Sequence, residues 1–597
     1  MSTGHCFEPS STSPTQESGC ILLRAAANGV VVRVRLVGRL RRRTLHGHGS
    51  YLLAQRGVTC YESDTVLLPA KRKLAGVAAG GEPLLRTRSP HTTVPHPPSR
   101  DPAAPGTHAH ASMSARADEA TAPHALLLPY PAQGHVIPFM ELAHRLLDAG
   151  FAVTFVNTEF NHRRVVTAAA GSPPASSERL RLVGVVDGMG DGEDRDNLVR
   201  LNATMKDAMP PQLEKLLDGE WSAAAGDGGG LGKVTCVVVD AGMSWALDAA
   251  KRRGLPTAAL WPASAAVFAV IVAAKKLIRD GVIDDDGAPV KLENNTFRLA
   301  ESMAPMDATF LAWNYMGNAD AERVVFHYLT TTAWAALATA DVLLCNTFAD
   351  LEPDIFSTTH HPTSPVPTIL PIGPLRTWRR STTASDDVPV VGHFWRADDE
   401  ACLSFLDAQP HGSVVYVAFG SLTVMRPAQL QELALALVAS GRPFLWVFRP
   451  GLTCGELPTA VGDMVRHHGK GKLVEWAPQE SVLTHKAIGC FVTHCGWNST
   501  LEGIRNGVPL LCWPYFTDQF TNQTYICDVW KVGLRVASVG REGVVTKEEI
   551  VERLESLLGD GGIKERVNRL KDLAESSMSG EGQSLKNLNA FMESMRK

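Results

Sequence analysis

From His124 onward, short apolar runs alternate with stretches whose apolar residues recur every three or four positions. The runs "HALLLPY", "FAVTFVNT", "KVTCVVVD", "TAALWP" and "ADVLLCNT" are continuously apolar rather than alternating. That pattern predicts parallel strands buried on both faces. Between the first two, "VIPFMELAHRLLDAG" has helical spacing, with Pro138 expected in its first turn and Gly150 at its stop. The Pro-rich stretch 360–375 reads as a boundary. A second series follows it, at "SVVYVAFGS", "PFLWVFR", "GKLVEW", "GCFVTH" and "VPLLCWP", and two amphipathic helical segments close the chain. This βα alternation predicts an α/β protein of two Rossmann-like, doubly wound domains, with ligands at the carboxyl ends of the strands, in a cleft between the domains. The expected limits are 113–365 for the first domain and 366–575 for the second. Residues 576–597 should form a helix that packs back on the first domain.

The first 112 residues break the pattern. They hold an Arg-rich run, "VVRVRLVGRLRRRTLHGHGS", and a Pro/His/Ser/Ala tract that lacks the apolar residues for a core. Two explanations stand: a disordered or non-native extension, with Met113 as the natural start, or an Arg- and Ser-rich transit peptide. Charge follows the same division. Residues 1–112 carry 14 Lys and Arg against 6 Asp and Glu, leaving 44 against 56 in the rest of the 597 residues. An acidic main body argues against a nucleic-acid binder. The 11 cysteines form no CxxC pair, which suggests free thiols in a reducing, cytoplasmic setting. The most apolar window, Leu255–Ala274, is interrupted by prolines and reads as a buried strand–loop–helix rather than a membrane anchor.

Most candidate motifs fall away. "GDGGGLGKVT" has Asp227 and Val234 where a phosphate loop needs Gly and Ser/Thr. The run Asp284–Asp286 reads as a solvated turn, and no His/Cys spacing suggests a metal site. What remains is Trp476–Gln519, where two strands end in loops rich in polar and aromatic groups. Ser499 and Glu502 have capping-box spacing at a helix start. That start, with His494 beside it, would cradle a phosphate. Trp476 offers a flat face to a base, and Glu502 a carboxylate to two ribose hydroxyls.

This segment, with Trp-Ala-Pro-Gln at its start, His-Cys-Gly-Trp-Asn-Ser inside and Asp-Gln at its end, resembles the signature box of plant family 1 UDP-dependent glycosyltransferases of the GT-B fold. The resemblance extends from about His124 to the C-terminus, and residues 1–112 have no counterpart in it. It implies that Trp476 stacks on uracil, that Ala477 pairs with the uracil edge, and that Gln479 and Glu502 hold the ribose. It places Ser421, His494, Asn498 and Ser499 at the diphosphate, and Trp497, Asp518 and Gln519 at the sugar. A terminal Gln519 implies glucose as the donated sugar. The same resemblance assigns His135 as the general base and Asp240 as its orienting acid. An imidazole supported by a carboxylate suits deprotonation of a hydroxyl near neutral pH.

The acceptor pocket is expected around Trp261, Phe268 and "MAPMDATFLAW", residues that could equally be core. The reading is an inverting transfer of glucose from UDP-glucose to a hydroxyl, or alternatively a carboxyl, of a small lipophilic acceptor. It expects no metal or other cofactor, no nucleic acid, no integral membrane anchor and a monomeric protein. The competing readings are a catalytically silent nucleotide-sugar binder and a dinucleotide-dependent oxidoreductase. The second lacks a G-x-G-x-x-G turn in strand–helix context.

Overall fold

The apolar runs become strands of two parallel sheets in the computed structural model, all of them inner except "GKLVEW", which lies at an edge. The structure describes residues 122–169, 179–195, 197–220, 231–290, 295–357, 369–375, 394–395, 399–449, 469–536 and 543–596, with 462 and 465 and two short strands near the N-terminus. Those strands, β1 (Cys20–Leu22) and β2 (Arg33–Arg35), pair antiparallel. The other residues of 1–112, and with them the expectations for that extension, lie outside the described set.

The first sheet contains β3 (His124–Leu128), β4 (Ala152–Thr158), β5 (Leu180–Val185), β6 (Cys236–Asp240) and β7 (Thr257–Trp261). A small antiparallel pair follows, β8 (Thr296–Phe297) and β9 (Met306–Asp307). The sheet is then completed by β10 (Val342–Cys345) and β11 (Leu370–Pro371). The second sheet contains β12 (Val414–Ala418), β13 (Phe444–Val447), β14 (Gly471–Val474), β15 (Ile488–Thr493), β16 (Leu510–Cys512) and β17 (Gly533–Arg535). The spatial orders are β5-β4-β3-β6-β7-β10-β11 and β14-β13-β12-β15-β16-β17. Each sheet therefore reverses its winding once, between β3 and β6 and between β12 and β15. Such a reversal leaves a crevice beyond the strand ends.

The structure moves two expected limits. The first sheet continues to Pro371, past the boundary expected at 365, because β11 is an edge strand. Proline is tolerated there, since one side of an edge ladder makes no hydrogen bonds. The first long helix is Gln133–Asp148, starting three residues before the apolar spacing does. Pro138 thus lies in its second turn and supplies no N–H to the carbonyl of Gly134. The apolar window Leu255–Ala274 divides into β7 and the helix Ala265–Val272, all of it buried from Thr257 to Trp261 and from Ala265 to Val272. Among the described residues no helix is long and apolar enough to cross a membrane.

The helix Gln583–Ser594 brings Leu588 and Phe591 into the core of the first domain, beside Phe139, Leu146 and Phe151. Its Asn587 donates to the Pro371 carbonyl at 2.9 Å. Three further bonds join the second domain to the segment after β10. The indoles of Trp497 and Trp530 donate to the carbonyls of Asn346 and Leu351, both at 2.7 Å. The Tyr525 hydroxyl donates to Asp354 at 2.7 Å. Burial of Phe591 at 1% exposure predicts that Phe591→Ala costs about 3–5 kcal/mol of stability, read as a lower midpoint in urea unfolding with native-like activity before the transition.

Candidate active site

Both winding reversals open on one cavity of about 340 Å³, which carries residues of both domains. His135 is the third residue of the helix Gln133–Asp148, not a member of the preceding loop as its sequence context suggests. Asp240 ends β6 and is fully buried. Their side chains meet at 2.7 Å, Nδ1 of His135 against Oδ2 of Asp240. The second carboxylate oxygen accepts from the Gly242 N–H at 2.9 Å, so Asp240 is held on both sides. Burial disfavours the imidazolium of His135, but the Asp240 charge and hydrogen bond, helped by the charge of Asp518, together raise its pKa above the ordinary value. With Nδ1 bound to Asp240, Nε2 is the nitrogen left to accept a proton.

The second domain supplies the opposite wall. Its helix Trp497–Arg505 is capped by Gly496 without a side-chain bond, which corrects the expected capping box. Ser499 lies in the third helical position, and its hydroxyl accepts from Gln479 Nε2 at 2.9 Å. Gln479 also donates to Glu502 and accepts from Tyr416 at 3.1 Å. First-turn N–H groups have no partner within a helix, so this end has the donors that an anion needs. Asn498 donates to the Gly134 carbonyl at 2.8 Å, the acceptor that Pro138 leaves unused within its own helix. Trp497, expected at the sugar, has its indole N–H committed to Asn346. Only its ring and backbone remain for a ligand.

His494 is wedged between two glycines. A Cβ on Gly420 or on Gly496 would stand 2.5 Å from its Nε2. Burial drives its pKa down to about 4, so near neutral pH it offers hydrogen bonds and no charge. The next residue, Cys495, has a φ of 66°, and Thr517, which precedes Asp518, has 57°. Positive φ is costly for a β-branched residue, and such strain is concentrated at functional sites. Asp518 is held by Thr517 at 3.0 Å and by Asn522 at 2.8 Å, and burial raises its pKa. Gln519 accepts through Oε1 from the N–H groups of Tyr515 and Phe516, at 2.8 and 3.2 Å, which leaves Nε2 to offer. Ser421, Trp476 and Ala477 complete this wall. Trp476 also packs on Trp395 at 4.7 Å, and Arg449 lies 5.2 Å from its ring centroid.

The apolar end of the cavity differs from expectation. Trp261 lines it, whereas Phe268 is fully buried in the core and only packs on Trp261, at 5.3 Å. Of "MAPMDATFLAW", Ala312 reaches this cavity, while Met306, Asp307, Phe310 and Leu311 line another. Sequence reasoning missed Tyr130, Asn202, Val267, Ile271, Met316, Val325, Tyr328 and Leu329. For those on helices, periodicity alone could not separate cavity wall from core, and Tyr130 and Met316 lie in loops that have no period. It also missed Glu352, which is fully buried and accepts from the N–H groups of Ala265 and Ala266 at 3.0 and 2.8 Å. This bond caps the helix that carries Val267 and Ile271. Burial pushes Glu352 up to about 7 against these hydrogen bonds. Among the described residues no cluster of His, Cys, Asp and Glu is arranged to hold a metal ion.

Comparisons with known proteins agree with this geometry. The model of the UDP-glucoronosyl and UDP-glucosyl transferase family matches residues 394–577. UDP-glycosyltransferase 83A1 of Arabidopsis thaliana is 38% identical over 79% of this chain and 96% of its own length. The (R)-mandelonitrile beta-glucosyltransferase of Prunus dulcis is 34% identical over 77% and 95%. Among solved structures, Os79 from O. sativa in complex with UDP has a TM-score of 0.61 at 29% identity, covering 79% of this chain and all of that one. Phytolacca americana UGT2, complexed with UDP-2fluoro-glucose and pterostilbene, has a TM-score of 0.63 at 27% identity, covering 80% and 99%.

The contact between Gly496 and His494 yields a direct test. A methyl group at Gly496 must displace the imidazole, although the backbone there, with φ of −59°, accepts alanine. Gly496→Ala is expected to weaken UDP binding about tenfold or more, the loss of one good hydrogen bond. Calorimetric titration would show this, alongside a thermal midpoint close to that of the unaltered protein.

Proposed function

The chain belongs to the family 1 UDP-glycosyltransferases, and from that premise we propose that it transfers glucose from UDP-glucose to a hydroxyl of a small lipophilic acceptor, with inversion at the anomeric carbon. The observation that carries this reading is the 2.7 Å bond between His135 and buried Asp240, at the junction of an apolar pocket with a helix start rich in donors. Glucose is favoured by Gln519, at the end of the signature box. A similar protein bears the name beta-glucosyltransferase, and a structural neighbour was solved with UDP-2fluoro-glucose. UDP-glucose is an α-glycoside, so formation of a β-glucoside requires attack from the opposite face.

In this mechanism Nε2 of His135 accepts the acceptor's hydroxyl proton as its oxygen bonds to the anomeric carbon. The bond from that carbon to the UDP oxygen breaks, and its electron pair leaves with the diphosphate. Asp240 fixes the imidazole tautomer and stabilises the imidazolium. The first-turn N–H groups of the helix Trp497–Arg505, together with Asn498, Ser499, Ser421 and His494, stabilise the leaving charge. Trp476 stacks on uracil, while Gln479 and Glu502 bind the ribose. The reaction so written uses no metal. We assign the enzyme to the cytosol, in keeping with the free state of the seven described cysteines, and take it to act as a monomer.

His135→Ala should lower kcat by about 10²–10⁴-fold and leave UDP affinity within threefold, measured by product mass and calorimetry. Retained turnover would remove His135 from the chemistry. The raised pKa of His135 also fixes the sign of the pH dependence. The base is neutral above that pKa, so kcat/KM falls on acidification with a midpoint above 6.5. Asp240→Asn removes the interaction that raises it. The acidic limb should then shift to lower pH while the plateau falls.

A further inference from the structure

The charge distribution of the acceptor pocket narrows the substrate class. Beyond His135 the cavity wall is mainly apolar, with Trp261, Val267, Ile271, Val325 and Leu329 as its largest part. Among the described residues lining the whole cavity there is no lysine and no arginine, whereas Asp240, Glu502 and Asp518 are all present. The two imidazoles do not reverse this balance. His494 is neutral through burial, and any charge on His135 is matched by its partner Asp240. Lys206 sits on the exposed surface with Nζ 5.5 Å from the Tyr328 ring centroid, and is not part of the wall.

The polar groups at this end are neutral and mostly engaged. The Tyr328 hydroxyl donates to the Gly242 carbonyl at 2.6 Å. The Tyr130 hydroxyl donates to Asn202 Oδ1 at 2.9 Å. The Asn202 amide nitrogen is then the donor available to a bound molecule. One neutral amide can satisfy a hydroxyl, ether or carbonyl oxygen. It cannot offset the desolvation of a carboxylate, which needs a paired cation when buried.

Resting on the glycosyltransferase reading, we propose that the acceptor is a neutral alcohol or phenol on a largely hydrocarbon frame, and that carboxylates are excluded both as the attacking group and as substituents in the pocket. The product is then a glycoside in which the acceptor's hydroxyl oxygen is bonded to the anomeric carbon. The proton of that hydroxyl passes to His135, and the diphosphate leaves with the bond's electron pair. An acyl sugar ester is not formed.

The test uses matched pairs with UDP-glucose at neutral pH, read as kcat/KM from product mass. Methyl 4-hydroxybenzoate against 4-hydroxybenzoate keeps the phenol and exchanges a neutral methyl ester for a carboxylate. Cinnamyl alcohol against cinnamate changes the attacking group. The neutral member of each pair should be favoured at least thirtyfold. Met316→Lys, which places a cation at a half-buried loop residue of the wall, should raise 4-hydroxybenzoate relative to its ester roughly tenfold. Charged members turned over within threefold of their neutral partners would overturn the inference alone and leave the transferase reading intact. Inactivity with every member, despite measured UDP-glucose binding, would overturn the transferase reading and this inference with it.

Discussion

One hydrogen bond across the cleft ties the two walls of the site together. Pro138 has no N–H, so the Gly134 carbonyl is left over within its own helix. Asn498, at the start of the helix Trp497–Arg505, takes that carbonyl at 2.8 Å. His135 is the next residue after Gly134. The start of the helix Trp497–Arg505 on one wall is therefore bonded to the turn that carries His135 on the other. The spacing of the two walls at this point is held by the Asn498 side chain on one backbone carbonyl.

The donor wall is built by close approach. Gly420 and Gly496 press on His494, which holds the ring without any bond from Nδ1 to protein. Cys495 and Thr517 occupy left-handed backbone, each beside a residue that faces the cavity. Strain of this kind persists only where the surroundings overdetermine it. Here those surroundings include the bonds from Asn522 to Cys495 and Asp518 and the Gln519 carbonyl that ties down the Tyr515–Phe516 turn. The wall beyond His135 is a different kind of surface, made mainly of aliphatic and aromatic side chains, with the Tyr130–Asn202 and Tyr328–Gly242 bonds as its fixed polar points.

The fold was legible from residue pattern because buried parallel strands leave a strong local record, and the runs at "HALLLPY" and "SVVYVAFGS" became β3 and β12. The edge strand β11 was hidden because Pro371, harmless at an edge, and the prolines around it read as a linker. The residues from Trp476 to Gln519 were legible as a group because they share one stretch of the chain, and the structure gathers them on one wall of the cavity. Their detailed bonding was not, since Ser499 has the spacing of a helix cap yet sits two residues beyond Asn346's partner, Trp497. Tyr328, Asn202 and Glu352 were missed because each meets the site through a contact distant in sequence. Apolar periodicity carries no information about which buried residue faces a void.

The seam between the domains has a property that bears on divergence. Trp497, Trp530 and Asn498 all donate to main-chain carbonyls, those of Asn346, Leu351 and Gly134. A carbonyl is present whatever side chain the residue bears. The first domain can therefore exchange side chains at these positions without losing the acceptors that dock it to the second. Apart from the Tyr525–Asp354 bond, which needs a side chain on each side, this seam reads the path of the chain rather than its spelling, which leaves most of its first-domain positions open to diversification.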